Sequence, residues 1–169
     1  MRLFCFGFGQ VAKNFIKKII NQNLSLDLSV TSRQETHKEV FEGISFTSYK
    51  FENDKVDGDI NSKIKEADYI LVSIPPVFGE DIVIKNFKGI LKNTNAKWIT
   101  YFSATSVYGD HNGEWVNERS ETKPSTLHGK NRLKAENDWQ VFSKENNLPL
   151  QIFRLSGIYS KQNNILKRL

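Results

Sequence analysis

Residues 7–12 read Gly-Phe-Gly-Gln-Val-Ala, a Gly7-x-Gly9-x-x-Ala12 spacing. In a turn from a strand into a helix each of these positions has its own task. Gly7 would allow the tight turn, Gly9 would let a pyrophosphate approach the backbone, and Ala12 would keep the helix close to the sheet. Free N–H groups at the helix start, around Gln10 and Val11, would then face the phosphates, favoured by the helix dipole. The spacing directly follows the first strand-like run and opens the first helical one, so the chemistry it implies is dinucleotide binding. A purely structural turn is the competing reading.

The end of the second strand bears on which dinucleotide. A carboxylate there would bond a ribose 2′-hydroxyl, but residues 30–33 read Val-Thr-Ser-Arg and Asp27 comes too early in the strand. Ser32 and Arg33, a hydroxyl and a guanidinium, suit a 2′-phosphate instead, so NADP(H) is expected ahead of NAD. An exposed loop arginine is the plain alternative. Ser73, Ile74, Pro75 and Pro76 close the fourth predicted strand at the carboxyl edge, where open α/β sheets bind ligands. A proline turn leaving a buried strand accounts for those four residues equally well.

These groups need a frame, and strand-like and helix-like runs alternate along the whole chain. Arg2–Phe6 reads as a strand, and Gln10–Asn21 as a helix with Val11, Phe15, Ile16 and Ile19 on one face. Residues 24–31 form a second strand, 35–41 a short helix and 44–49 a third strand. Residues 59–67 make a brief helix entered through Asp59, and 68–76 a fully buried strand stopped by the two prolines. Residues 79–92 follow as a helix, 96–104 as the fifth strand, 129–145 as a helix carrying Ala135, Trp139 and Phe142, and 148–156 as the sixth strand. Near-continuous apolar strands separated by amphipathic helices predict a doubly wound parallel sheet of Rossmann type, about six strands with helices on both faces. Without linkers or repeats, residues 1–169 read as a single NAD(P)-binding domain. The one long irregular stretch, Thr105–His128, holds Tyr108, Trp115 and Val116 and reads as an ordered functional loop.

Composition agrees with a globular chain: 169 residues, 38% hydrophobic and 25% charged. Lys and Arg number 24 against 19 Asp and Glu, a net +5. The lysines (Lys17, Lys18, Lys50, Lys85, Lys97, Lys130, Lys134) are scattered over the sequence rather than clustered, which argues against nucleic acid. Cys5 has no second cysteine to pair with, and its place in an apolar run suits a reducing compartment. The N-terminus does not read as a secretory signal, and no apolar run approaches the roughly 18 residues of a membrane span. A cytoplasmic protein with a small-molecule substrate, no membrane association and no metal is expected.

Three later blocks are more specific. Residues 101–118, YFSATSVYGDHNGEWVNE, carry a strand into S-x-x-S-V-Y-G; 123–139 read KPSTLHGKNRLKAENDW; 152–160 read IFRLSGIYS. In this order they resemble the extended short-chain dehydrogenase/reductase superfamily, of the NAD-dependent epimerase/dehydratase kind, over essentially the whole chain. Two-domain hydroxyacid dehydrogenases share the front half but not the S-V-Y-G block. The superfamily's Ser/Thr–Tyr–Lys set lands on Ala104, His128 and Arg132. A tyrosine acts as acid/base when a lysine ammonium depresses its pKa. His128 would transfer protons near neutral pH, although Arg132 beside it disfavours its charged form. His128 and Tyr108 are the candidate proton-transfer residues, and Ser103 or Thr105 would have to replace the missing hydroxyl. Ser103 also counts among the expected cofactor contacts. Loss of the set resembles the atypical branch of the superfamily, which keeps the cofactor fold.

Two functions follow as expectations. One is an NADP(H)-binding, epimerase/dehydratase-like oxidoreductase of unknown substrate with a degenerate site; the other is a non-catalytic NADP(H)-binding sensor or remnant domain acting through a partner. The resemblance further implies a smaller C-terminal substrate region that is missing here. A truncated chain, a short gene product and half of a site completed in a homo-oligomer all fit that end.

Overall fold

The computed structural model describes residues 1–52 and 55–160. The alternation seen in the sequence becomes β1 (Arg2–Phe6), α1 (Gln10–Ile20), β2 (Asp27–Ser32), β3 (His37–Phe41), β4 (Ile44–Glu52) and β5 (Lys55–Val56). These are followed by α2 (Ile60–Glu66), β6 (Tyr69–Val72), α3 (Ile82–Leu91), β7 (Trp98–Ala104), α4 (Leu127–Glu145) and β8 (Leu150–Leu155). Strand order is β3-β4-β2-β1-β6-β7-β8, with β5 paired to β4. From β4 to β8 every neighbouring pair runs parallel. The architecture is therefore the expected Rossmann-type α/β sheet.

Side-chain alternation along β1 sorts the core into two layers. Leu3 and Cys5 join Ala12, Ile16 and Ile19 of α1 with Leu28, Val30 and Phe46. Phe4 and Phe6 face the other way, among Ile60 and Ile64 of α2, Val83 and Phe87 of α3, and Trp139 of α4. Helix α1 works as an amphipathic cover because Ala12, Ile16 and Ile19 fall on one face while Lys17 and Lys18 point outward. Helix α3 starts where Asp81 Oδ1 accepts from the Val83 and Ile84 amides at 3.0 and 2.9 Å. Its Oδ2 accepts from Trp139 Nε1 at 3.0 Å, which ties α3 to α4.

One predicted element is of the wrong type. Residues 35–41 contain no helix; His37–Phe41 is strand β3, antiparallel to β4 in the register Phe41↔Ile44. The cause is the Glu42-Gly43 pair, with φ of 49° and 81°, a two-residue hairpin turn of the kind that matches strand twist. His37, Val40 and Phe41 happen to sit at helical spacing, but the hairpin and its edge ladder prevail. The sheet consequently has eight strands rather than about six, and it is mixed at the β3 and β5 positions. No helix crosses between β2 and β4, so among the described residues α1 is the only helix on its face.

Candidate dinucleotide site

The carboxyl ends of β1, β2 and β6 converge on the turn at residues 7–9. Gly7 has φ +88°, and its N–H donates to Thr31 Oγ1 of β2 at 2.8 Å. A Cβ on Gly7 would stand 2.8 Å from Ser73 Oγ, so this position has neither the conformation nor the room for a side chain. Ser73 Oγ in turn donates toward Phe6 O at 3.0 Å and Gly7 O at 3.2 Å. Gly9 is different. Its φ is −82°, a Cβ there would meet nothing within 4 Å, and it caps α1 with no side-chain bond to the first-turn amides. Those amides, Gln10 and Val11 among them, have no side-chain cap, Gln10 and Val11 line the cleft beside the turn, and Ala12 is fully buried.

Two clefts flank this turn and share Gly9 and Ser73. The larger, about 540 Å³, runs toward β2 and β4 and is lined by Lys13, Thr31, Ser32, Arg33, Gln34, Glu39, Ser48, Ile74 and Pro75 among others. Ser32 Oγ accepts from Ser48 Oγ at 3.0 Å, and Arg33 is exposed at the rim. Lys13 lies 5.0 Å above the Phe8 ring. The other cleft, about 320 Å³, runs toward β7 and is lined by Gln10, Val11, Ala12, Phe102, Ser103, Ala104, Arg132, Leu155, Ser156 and Ile158.

Ser103 is 4% exposed and its Oγ has no partner among the described residues, a buried hydroxyl whose bond remains to be made. Arg132 Nη1 donates to the Phe102 carbonyl at 2.8 Å, and its buried Nε is also without a partner. Tyr101, 3.4 Å from that Nη1, has its hydroxyl pushed up to about 12, chiefly by burial, and stays neutral. Open space over Gly9 and the orphaned Ser103 hydroxyl suit an elongated polar ligand that crosses the turn.

Most of the sequence-predicted contacts meet here: Gly7, Gly9, Gln10, Val11, Ser32, Arg33, Ser73, Ile74, Pro75 and Ser103 all line one cleft or the other, whereas Pro76 lines neither. The two proton-transfer candidates stand apart from it. Tyr108 is buried, the Arg154 guanidinium lies 4.8 Å over its ring, and it faces a separate 410 Å³ hollow with Glu118 and Gln140. His128 is exposed on the first turn of α4, beside the Thr126 cap, and lines neither cleft. Trp115, read as part of a functional loop, is fully exposed. Lys13, Gln34 and Glu39 were not anticipated. Lys13 had a signal, since one helical turn beyond Gly9 returns to the ligand side.

Among the described residues no three His, Cys, Asp or Glu side chains come together as a metal site. Likewise, no described helix is long and apolar enough to cross a membrane.

Fold and site together define a Rossmann-type α/β domain with a cleft on each side of its first turn. Among solved structures it is similar to a functionally unknown conserved protein from Silicibacter pomeroyi, with a TM-score of 0.78 and 26% identity over 99% of this chain and 56% of that one. It also resembles the UDP-glucuronic acid 4-epimerase from Bacillus cereus in complex with NAD, with a TM-score of 0.73 and 18% identity over 94% of this chain and 57% of that one. The UDP-N-acetylglucosamine 4-epimerase from Bacillus cereus aligns with a TM-score of 0.70 and 16% identity, over 94% and 54% of the two chains. The chain thus spans a little over half the length of the structures it matches. No protein-family model and no curated sequence matches it.

Proposed function

We propose that the chain binds a nicotinamide dinucleotide, NADP(H), across the two clefts. The observation that carries this is the pair of clefts meeting at Gly9 and Ser73, directly over the uncapped start of α1. The first-turn amides would receive the pyrophosphate. Ser32, Arg33 and Lys13 would take the adenosine end with its 2′-phosphate, two cations and a hydroxyl against the one carboxylate of Glu39. Ser103 and Arg132 would lie in the nicotinamide half. The UDP-glucuronic acid 4-epimerase above was solved with NAD, so the preference for the 2′-phosphate rests on these residues of this chain alone.

Bound, the cofactor supplies hydride chemistry. The first reading is an epimerase/dehydratase-like oxidoreductase acting on a small molecule. A second, a non-catalytic NADP(H) sensor acting through a partner, is favoured by one feature. Among the described residues Arg132 is the only ionisable side chain lining the β7 cleft, and an arginine does not exchange its proton at neutral pH. A reducing, cytoplasmic setting belongs to the same proposal, supported by the buried, unpaired Cys5.

Fluorescence titration with NADPH and NADH is the test. Micromolar binding of NADPH, at least tenfold tighter than NADH, is the expected result, roughly 1.4 kcal/mol of preference. Equal binding would remove the 2′-phosphate contact, and no binding of either below millimolar would remove the dinucleotide. Under the sensor reading, His128→Ala leaves NADPH affinity unchanged.

A further inference from the structure

We propose that Arg132 makes this site selective for oxidation state, so that it holds the neutral dihydronicotinamide of NADPH more tightly than the cationic pyridinium of NADP+. The inference rests on the dinucleotide reading above and adds to it what the nicotinamide half of the cleft distinguishes.

Charge and its compensation set the preference. The two oxidation states differ at the ring by a single positive charge, and the ring would lie in the cleft toward β7. That cleft carries the Arg132 guanidinium, fixed by the 2.8 Å bond from Nη1 to the Phe102 carbonyl. A guanidinium stays protonated in any protein setting. Its neighbours do not cancel it. Glu136, one turn further along α4 and 1% exposed, is the carboxylate nearest in sequence, but Arg154 holds it through Nε at 3.1 and 3.2 Å and Nη2 at 2.8 Å. Asp81, on the same side of the sheet, is bonded to Trp139 and the start of α3. Tyr101 keeps its proton, and Arg132 forms no ion pair among the described residues. The rest of the wall among the described residues, with Val11, Ala12, Phe102, Ala104 and Leu155, is uncharged. An uncompensated cation in a cleft of low polarity repels a second cation and is indifferent to a neutral ring.

The test is calorimetric titration of the wild-type chain with NADPH and with NADP+, repeated on Arg132→Lys and Arg132→Met. Wild type is expected to bind NADPH about tenfold more tightly, equivalent to raising the potential of the bound couple by about 30 mV. Arg132→Lys, which retains the charge, should keep a preference of about threefold or more. Arg132→Met should bring the two affinities within about a factor of two. Equal wild-type affinities overturn the inference, as does a ratio in Arg132→Met that matches wild type. If Arg132→Met does not fold, as judged by circular dichroism, the wild-type ratio and Arg132→Lys decide on the same terms. Binding of neither form overturns the dinucleotide reading itself, and so the two failures are told apart.

Discussion

Gly7 and Gly9 belong to one turn, yet they are glycine for different reasons, and substitution separates them. Gly7 is required by the protein: its φ is +88° and Ser73 Oγ occupies the place of a Cβ. Gly9 is required by nothing in the chain, since its backbone suits any residue and a Cβ would enter empty space. Gly9→Ala should therefore lower stability by no more than about 1 kcal/mol, the difference between glycine and alanine at a helix cap. The same methyl group would stand where a pyrophosphate approaches, and NADPH affinity should fall roughly tenfold or more. Thermal melts and a fluorescence titration measure the two effects, and normal NADPH binding by this variant would place the phosphates elsewhere. The turn was legible because its spacing falls between the first strand-like run and the first helical one. Arg132 was not legible in the same way. Its type and position are visible in the sequence, but its significance lies in Glu136 being taken by Arg154, a pairing across the gap between α4 and β8.

At the level of elements, Asp81 joins two helices outside the cleft. One oxygen caps α3 and the other accepts from the Trp139 indole, and the residue is 5% exposed. Burial raises the pKa of this carboxyl above its ordinary value, against the pull of those donors. Asp81→Ala removes the cap and strands a buried N–H, a loss of about 2–4 kcal/mol by chemical denaturation. Asp81→Asn, which keeps acceptor oxygen, should recover part of it; an alanine variant as stable as wild type would show that α3 and α4 are held by packing alone. The parallel strands and their helices were readable because each buries a continuous apolar face. The β3–β4 hairpin was not, because a five-residue strand at an edge is half polar and its helical and strand periods overlap. Glu42-Gly43 was the available cue, a dipeptide that fixes a hairpin only when both residues take positive φ.

At the scale of the molecule, the mixed sheet carries, among the described residues, three α-helices on one face and one on the other, and β1 lies at its centre between β2 and β6. Cys5 sits in that strand with no exposure, and burial holds its thiol in the unreactive protonated form. Native chain should resist a thiol-specific disulfide reagent, and labelling should proceed only as fast as global unfolding measured under the same conditions. Rapid labelling without denaturant would contradict a closed centre. The remaining consequence concerns the β3–β4 hairpin. Arg33, Gln34 and Glu39 reach the larger cleft from a short segment fastened to β4 by the Ser32–Ser48 and Lys50–Thr36 bonds. The Gly7–Thr31–Ser73 seat is built at the carboxyl ends of β1, β2 and β6, with Thr31 the residue before Ser32. Under the proposed dinucleotide reading, the hairpin is an appendage to the end of β2 whose exchange would change the nucleoside end that is taken while β1, β6 and α1 keep their places.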